Sequence, residues 1–205
     1  MFTVPMALVD FLPVILFAAA VVILQGEFYP LFSKIQFATF SSGGTMIVTA
    51  GLFKALYKLL YAADICDFER LNLVFFPLQA TGFLIIGFAA VSFLFAHGDA
   101  NKKKAAVFAP PAFSGTMIFV VGMIVGVVAL CGSLTVISVK MKKYGTMFIF
   151  ILSVLFMLTM GYLSTKDFEQ SYINWIAQGV NIVGEGLFLI GAVSLKRSGL
   201  KEFKF

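Results

Sequence analysis

FLIIGFAAVSFLFA, residues 83–96, decides the fold. It carries no charge, and its apolar residues run on without the polar/apolar alternation over about ten residues that marks a lipid-spanning β-strand. It closes a longer apolar run, about 71–96, that covers the roughly 20 residues a helix needs to cross a bilayer's hydrocarbon core. Helices and closed barrels are the only structures that satisfy every backbone polar group in lipid, so rejecting the barrel leaves the helix.

Working outward, five more runs meet the same standard, at about 8–26, 36–60, 116–139, 146–164 and 172–195. Together they use nearly all of the 205 residues, 60% of which are hydrophobic and only 12% charged, at a mean hydropathy of +1.00. That leaves no chain for a soluble domain. The expected fold is all-α: one polytopic six-transmembrane-helix bundle over residues 1–205. No Lys or Arg precedes the first run, so it reads as a span and not as a cleaved leader.

The net charge of +5 gathers beside the span ends, as in VKMKKYG (139–145) and LKRSGLKEFKF (195–205), where it meets anionic headgroups. No basic surface interleaved with aromatics suggests nucleic acid. The expected partners are the lipid bilayer, a small-molecule or ion substrate, and a second copy or a membrane partner subunit. If the six spans alternate in direction, both termini share a side with the 2–3 and 4–5 connections. Ten of the fifteen Lys and Arg fall on that side, which predicts cytoplasmic termini. Cys66 and Cys131 lie too far apart along the bundle to pair, and His97 is the only histidine. Bis-histidine haem and histidine-based metal sites are therefore excluded within one chain, and no cofactor or metal is expected. Asp64, Asp67 and Glu69 in YAADICDFERLN (61–72) match no calcium loop and read as a wet turn.

The one long connection, AHGDANKKKAAVFAPPAFSG (96–115), has loop chemistry and divides the spans three and three, the layout of an inverted repeat. The clearest internal similarity, FSSGGTMI (40–47) with FSGTMI (113–118), aligns span two with span four instead of span five, so it establishes no repeat. Gly122, Gly126, Ala129 and Ser133 recur at helical spacing and form a close-packing face. Pro77 removes a backbone donor from span three just before Gln79, which makes that stretch a candidate cavity wall.

The last run, SYINWIAQGVNIVGEGLFLIGAVSL (171–195), holds the strongest functional signal. Ser171, Asn174, Gln178, Asn181 and Glu185 follow one another at spacings of 3, 4, 3 and 4, and so fall within about 80° of arc. Such a stripe must face other helices or water. Glu185 lies ~15–18 Å from either end of the run, near the bilayer midplane. An ionised side chain there costs on the order of 3 kcal/mol or more, so an acid at that depth is a functional suspect. The candidate ligand- or ion-binding residues are Glu185, Asn181, Gln178, Asn174, Lys54 and Gln79; no catalytic residue is assigned.

Lys54 and Lys58 in GLFKALYKLLY (51–61) are the nearest basic candidates for Glu185. If spans two and six run the same way, both side chains lean outward and Lys54 sits ~10 Å nearer the inner surface, which disfavours a direct pair. Snorkelling to headgroups is one reading of the two lysines. The other is a water- or ligand-filled space between Lys54 and Glu185, with Tyr57 and Tyr61 nearby. The pattern points to transport or substrate binding of an ion or small molecule, with Glu185 serving proton or cation coupling or ligand binding. A non-catalytic subunit or sensor of a larger membrane complex is the alternative. A membrane-embedded lipid-modifying enzyme comes third: GxSxG and HExxH are absent, and Ser41 and Ser42 have no evident base. In size and span count the chain is similar to the vitamin-binding subunits of bacterial energy-coupling transporters, although it carries no motif of theirs.

Overall fold

A computed structural model describes residues 3–96, 116–163 and 171–203. The described chain is helical without strands: α1 (Val4–Val9), α2 (Phe11–Phe28), α3 (Lys34–Ala62), α4 (Glu69–Ala96), α5 (Thr116–Lys140), α6 (Tyr144–Leu163) and α7 (Ser171–Arg197), followed by a 3₁₀ turn at Leu200–Glu202. Taking α1 and α2 as one near-continuous rod, five of these are long and apolar enough to cross a bilayer, and α6 is a shorter apolar helix. Large apolar side chains cover the outside, among them Val22 at 65% exposure, Ile15 at 60% and Val121 at 58%. An apolar exterior of this kind suits hydrocarbon and not water. The chain is a multi-pass membrane protein.

Local chemistry sets the helix ends. Ser33 caps α3 by accepting from the Gln36 N–H, while the Ser33 N–H donates to Gln36 Oε1 at 3.0 Å, a reciprocal capping box. Asp64 (φ 53°), Lys142 (φ 58°) and Gly199 (φ 76°) take left-handed backbone just beyond α3, α5 and α7. At the first two, the following N–H closes back on a helix carbonyl, Ile65 on Leu60 at 3.0 Å and Lys143 on Ser138 at 2.8 Å, which stops the helix.

Helix directions follow from which residues meet. Gly44 packs on Val21 and Gly51 on Val14, so α3 runs against α2. Gln36 reaches Ser92 while Lys54 reaches Phe75, so α4 runs against α3. Thr146 meets Ser194 and Ser153 meets Gly184, so α7 runs against α6. Two contacts break the alternation. Gly122 lies against Ala80 and Leu84, and Gly87 lies against Ala129, so α4 and α5 are parallel. Gln178 bonds Asp10, Phe17 stacks on Phe188, and the Lys201 N–H reaches Glu27, so α2 and α7 are parallel as well.

The bundle therefore has a proximal end, with Val4, Ala62, Glu69, Thr116 and Ser171, and a distal end, with Phe28, Lys34, Ala96, Lys140, Tyr144 and Arg197. The 96–115 connection, expected as a loop on one side, lies outside the described residues apart from Ala96, yet its flanks sit at opposite ends. Alternation fails there, and the first and last described helices end up parallel. Exchanging α2–α4 for α5–α7 maps each main packed pair onto another, α2/α3 onto α5/α6, α3/α4 onto α6/α7 and α4/α5 onto α7/α2. Corresponding helices of the two halves thus run in the same direction and not in the opposite directions that an inverted repeat requires. The FSSGGTMI similarity does not follow this relation.

Small residues draw the helices together. A Cβ on Gly43 would lie 2.7 Å from the Ile86 nitrogen, and one on Gly126 would lie 2.5 Å from the Phe83 carbonyl oxygen. The glycine face expected on span four is thus the seam between α5 and α4. The helix continues through Pro77.

Candidate functional site

The proximal half of the bundle holds a cavity of about 380 Å³. Its walls come from the first halves of α2, α4, α5 and α7 and the second halves of α3 and α6, as the helix directions require. All six residues singled out in the sequence, Glu185, Asn181, Gln178, Asn174, Lys54 and Gln79, line it. Asp10, Tyr57, Lys58 and Asn72 add polar groups, while Phe17, Phe75, Phe76, Phe83, Met123 and Met157 supply apolar wall.

α7 places its stripe as its spacing requires. Asn174 and Gln178 are buried, at 5% and 4% exposure, and Asn181 and Glu185 are half-buried. Trp175, Ile176, Val183 and Ile190 project from the other side and are exposed. The side chain of Ser171, at the start of the stripe, lies outside the described set. Gln178 is held by its amide, which donates to the Met6 carbonyl at 2.8 Å and to Asp10 Oδ1 at 3.0 Å. Both N–H groups are thereby directed at the α1–α2 junction, and Gln178 Oε1 is left buried without a partner. Gln79 Oε1 and Glu185 Oε2 are buried and unpartnered as well.

The lysines correct one expectation. They do not snorkel: Lys58 Nζ pairs with Asp10 Oδ2 at 2.6 Å, with the two side chains only 12% and 15% exposed. Lys54 Nζ sits 4.1 Å from the centroid of the Phe75 ring and 5.8 Å from that of Phe76, an arrangement in which the ring face attracts the cation. Lys54 and Glu185 form no ion pair, though not for the reason that spans two and six run the same way, since α3 and α7 are antiparallel. Instead they border the same open space, with Tyr57 and without Tyr61.

Asp10 is the residue the sequence reading passed over. It sits at the α1–α2 break, inside what reads as the opening of an uninterrupted apolar span. An acid followed by Pro13, with unassigned lysines on the next span, was the available signal. Of the tempting serines, Ser42 Oγ donates to the Thr39 carbonyl at 3.0 Å within its own helix, and neither serine lines the cavity. Asp64, Asp67 and Glu69 are exposed, and among the described residues no three acid, histidine or cysteine side chains gather to hold a metal.

The arrangement is an amphipathic chamber: one ion pair, one cation on an aromatic face, one acid and a set of amides, set among phenylalanines and methionines. The chain matches no protein-family model, and no curated protein or solved structure is significantly similar to it.

Proposed function

We propose that the protein binds a small solute in this chamber, as a membrane transporter or as the substrate-binding subunit of one, with Glu185 as the group that couples a proton or cation or that binds the solute directly. The carrying observation is the convergence of amide and charged side chains from α2, α3, α4 and α7 on one cavity in which the acceptor oxygens of Gln79, Gln178 and Glu185 lie buried and unpartnered. A chamber built only for packing would be filled or apolar; most buried acceptors in proteins find a partner.

The lysine distribution supports an orientation. Among the described residues the distal end carries Lys34, Lys140, Lys142, Lys143, Lys196, Arg197 and Lys201, whereas the proximal end carries Arg70; Lys54 and Lys58 face the chamber. By the positive-inside tendency this favours a cytoplasmic distal end, with the chamber half toward the opposite face. Cys66, exposed in the α3–α4 connection at the proximal end, is a built-in reporter, and Cys131 is buried. A membrane-impermeant maleimide should label Cys66 on intact cells; labelling only after lysis would reverse the orientation.

Solute binding is tested by a thermal-shift screen of metabolites and ions on the detergent-purified protein. A binder raises the midpoint by mass action, and the shift should shrink in Glu185→Gln with folding retained. If no solute class moves the wild type at millimolar concentration, or if Glu185→Gln responds as wild type does, the corresponding part of the reading is wrong.

A further inference from the structure

The chamber's unpartnered groups have a definite chemical sense. Asp10 and Lys58 face each other at 2.6 Å, so neither is the free charge of the site. What remains is one cation, Lys54, and one acid, Glu185. The Lys54 amine rests against the Phe75 ring and has no carboxylate within ion-pair distance among the described residues. An aromatic face attracts an ammonium more weakly than an anion does, so the amine can accept a carboxylate. On other residues that line the chamber, buried side-chain oxygens without a hydrogen-bond partner include Gln79 Oε1, Gln178 Oε1 and Glu185 Oε2. The Gln178 oxygen cannot be exchanged for its NH₂ group, because the amide nitrogen is committed to Met6 and Asp10.

We infer that the solute is a zwitterion of amino-acid to dipeptide size with an apolar side chain, its carboxylate on the Lys54 amine and its ammonium received by Glu185. This rests on the solute-binding reading above and narrows it. A zwitterion brings a charge of each sign to Lys54 and Glu185 at once, which neither a simple cation nor an anion can do. The same chamber has apolar wall, with Phe17, Phe83, Met123 and Met157 among its lining, which suits a hydrophobic side chain. A volume of about 380 Å³ lies near the lower end for small-molecule sites and leaves no room for a large polar cargo.

The test is a ligand series on the full chain in nanodiscs, read by calorimetry: L-phenylalanine and glycyl-L-phenylalanine, against phenethylamine, which lacks the carboxylate, and 3-phenylpropanoate, which lacks the ammonium. At least one zwitterion should bind at least about tenfold more tightly than either truncated analogue, since a site built around a polar group rejects a ligand lacking it. Lys54→Met should weaken the zwitterion while leaving phenethylamine unchanged, and Glu185→Gln should leave 3-phenylpropanoate unchanged. The ligand series on the wild type decides the matter even if a variant fails to fold. Phenethylamine binding as well as the zwitterion overturns the carboxylate role of Lys54, and 3-phenylpropanoate doing so overturns the ammonium site. If neither zwitterion binds but the broad screen finds another class, such as a metal ion or a fatty acid, the zwitterion is wrong and the chamber reading stands. If nothing binds, both fall.

Discussion

At the distal end, α2, α3 and α4 meet through Phe28, Phe32, Phe40 and Phe93, whose rings lie 4.6 to 5.6 Å apart, and three of them are wholly buried. At the proximal end the same three helices set Asp10, Lys58 and Lys54 between them and enclose a chamber. The backbones are continuous from one end to the other, so helix geometry alone does not make the chamber. Side-chain choice does: aromatic rings fill the space where they stand, and charged and amide groups keep it open. Voids in apolar packing are costly, and a chamber lined by unpartnered acceptors adds to that cost, which is why the open half is where function is sought.

The largest effect should come from breaking the filled end. Phe93→Ala removes a fully buried ring that touches Phe28 and Phe32 and should cost about 3–5 kcal/mol. Phe76→Ala, on the chamber wall, should cost well under half of that because its ring already borders open space. Unfolding of both variants in mixed micelles compares them directly. Equal losses would mean that the two halves are packed alike and that the chamber is not a distinct region.

Next comes the pair that holds the open end. Asp10→Asn leaves Lys58 facing a neutral group in a partly buried setting and should cost up to about 3 kcal/mol. Adding Lys58→Met should recover much of the loss, because removing both charges also removes the desolvation penalty. Strictly additive losses would show that the two side chains do not act on each other.

How far the sequence reveals this difference depends on the kind of signal. Helix type and length are legible because lipid forces every backbone group into a helix, and the observed bounds fall within a few residues of those expected. The inward face of α7 is legible too, since four polar side chains at spacings of three and four leave one solution. Helix direction is not. Direction in a membrane is inferred by alternation, which assumes that consecutive spans run opposite ways; α4 and α5 run the same way. From that single departure follow the parallel setting of α2 and α7, the same-direction halves and the antiparallel setting of the helices that carry Lys54 and Glu185. Asp10 was hidden for a different reason: one acid in the first turns of an apolar run reads as a span edge until a partner for Lys58 is sought.

The seam between the two halves sets a smaller expectation. Gly126→Ala would push a Cβ to 2.5 Å from the Phe83 oxygen and 2.7 Å from the Leu84 nitrogen, both backbone atoms that cannot swing away. Overpacking of this kind should cost about 1–3 kcal/mol. Gly132→Ala and Gly179→Ala, with nothing within 4 Å of the added carbon, should be neutral or slightly stabilising through helix propensity. If Gly126→Ala matches these controls, α4 and α5 are not in close backbone contact, and the parallel packing of the halves loses its main support.

The smallest effect belongs to Glu27, the distal counterpart of Asp10. Both are acids at an end of α2, and both are mostly buried, but Glu27 is met by a backbone group: its Oε2 accepts the Lys201 N–H at 3.2 Å and ties the turn at Leu200–Glu202 to the bundle. An amide oxygen can take that hydrogen bond as a carboxylate does. Glu27→Gln should therefore cost less than about 1 kcal/mol, whereas Glu27→Leu, which strands the N–H, should cost about 1–3 kcal/mol. Hydrogen exchange at the Lys201 amide gives the more local reading, because it reports opening of the turn even when global stability barely moves. Faster exchange in the Leu variant and near-native exchange in the Gln variant would show that the distal acid serves as an acceptor and not as a charge. If Gln behaves as Leu does, the charge itself matters at the distal end, and the contrast between a structural acid there and the charged groups of the chamber would have to be given up.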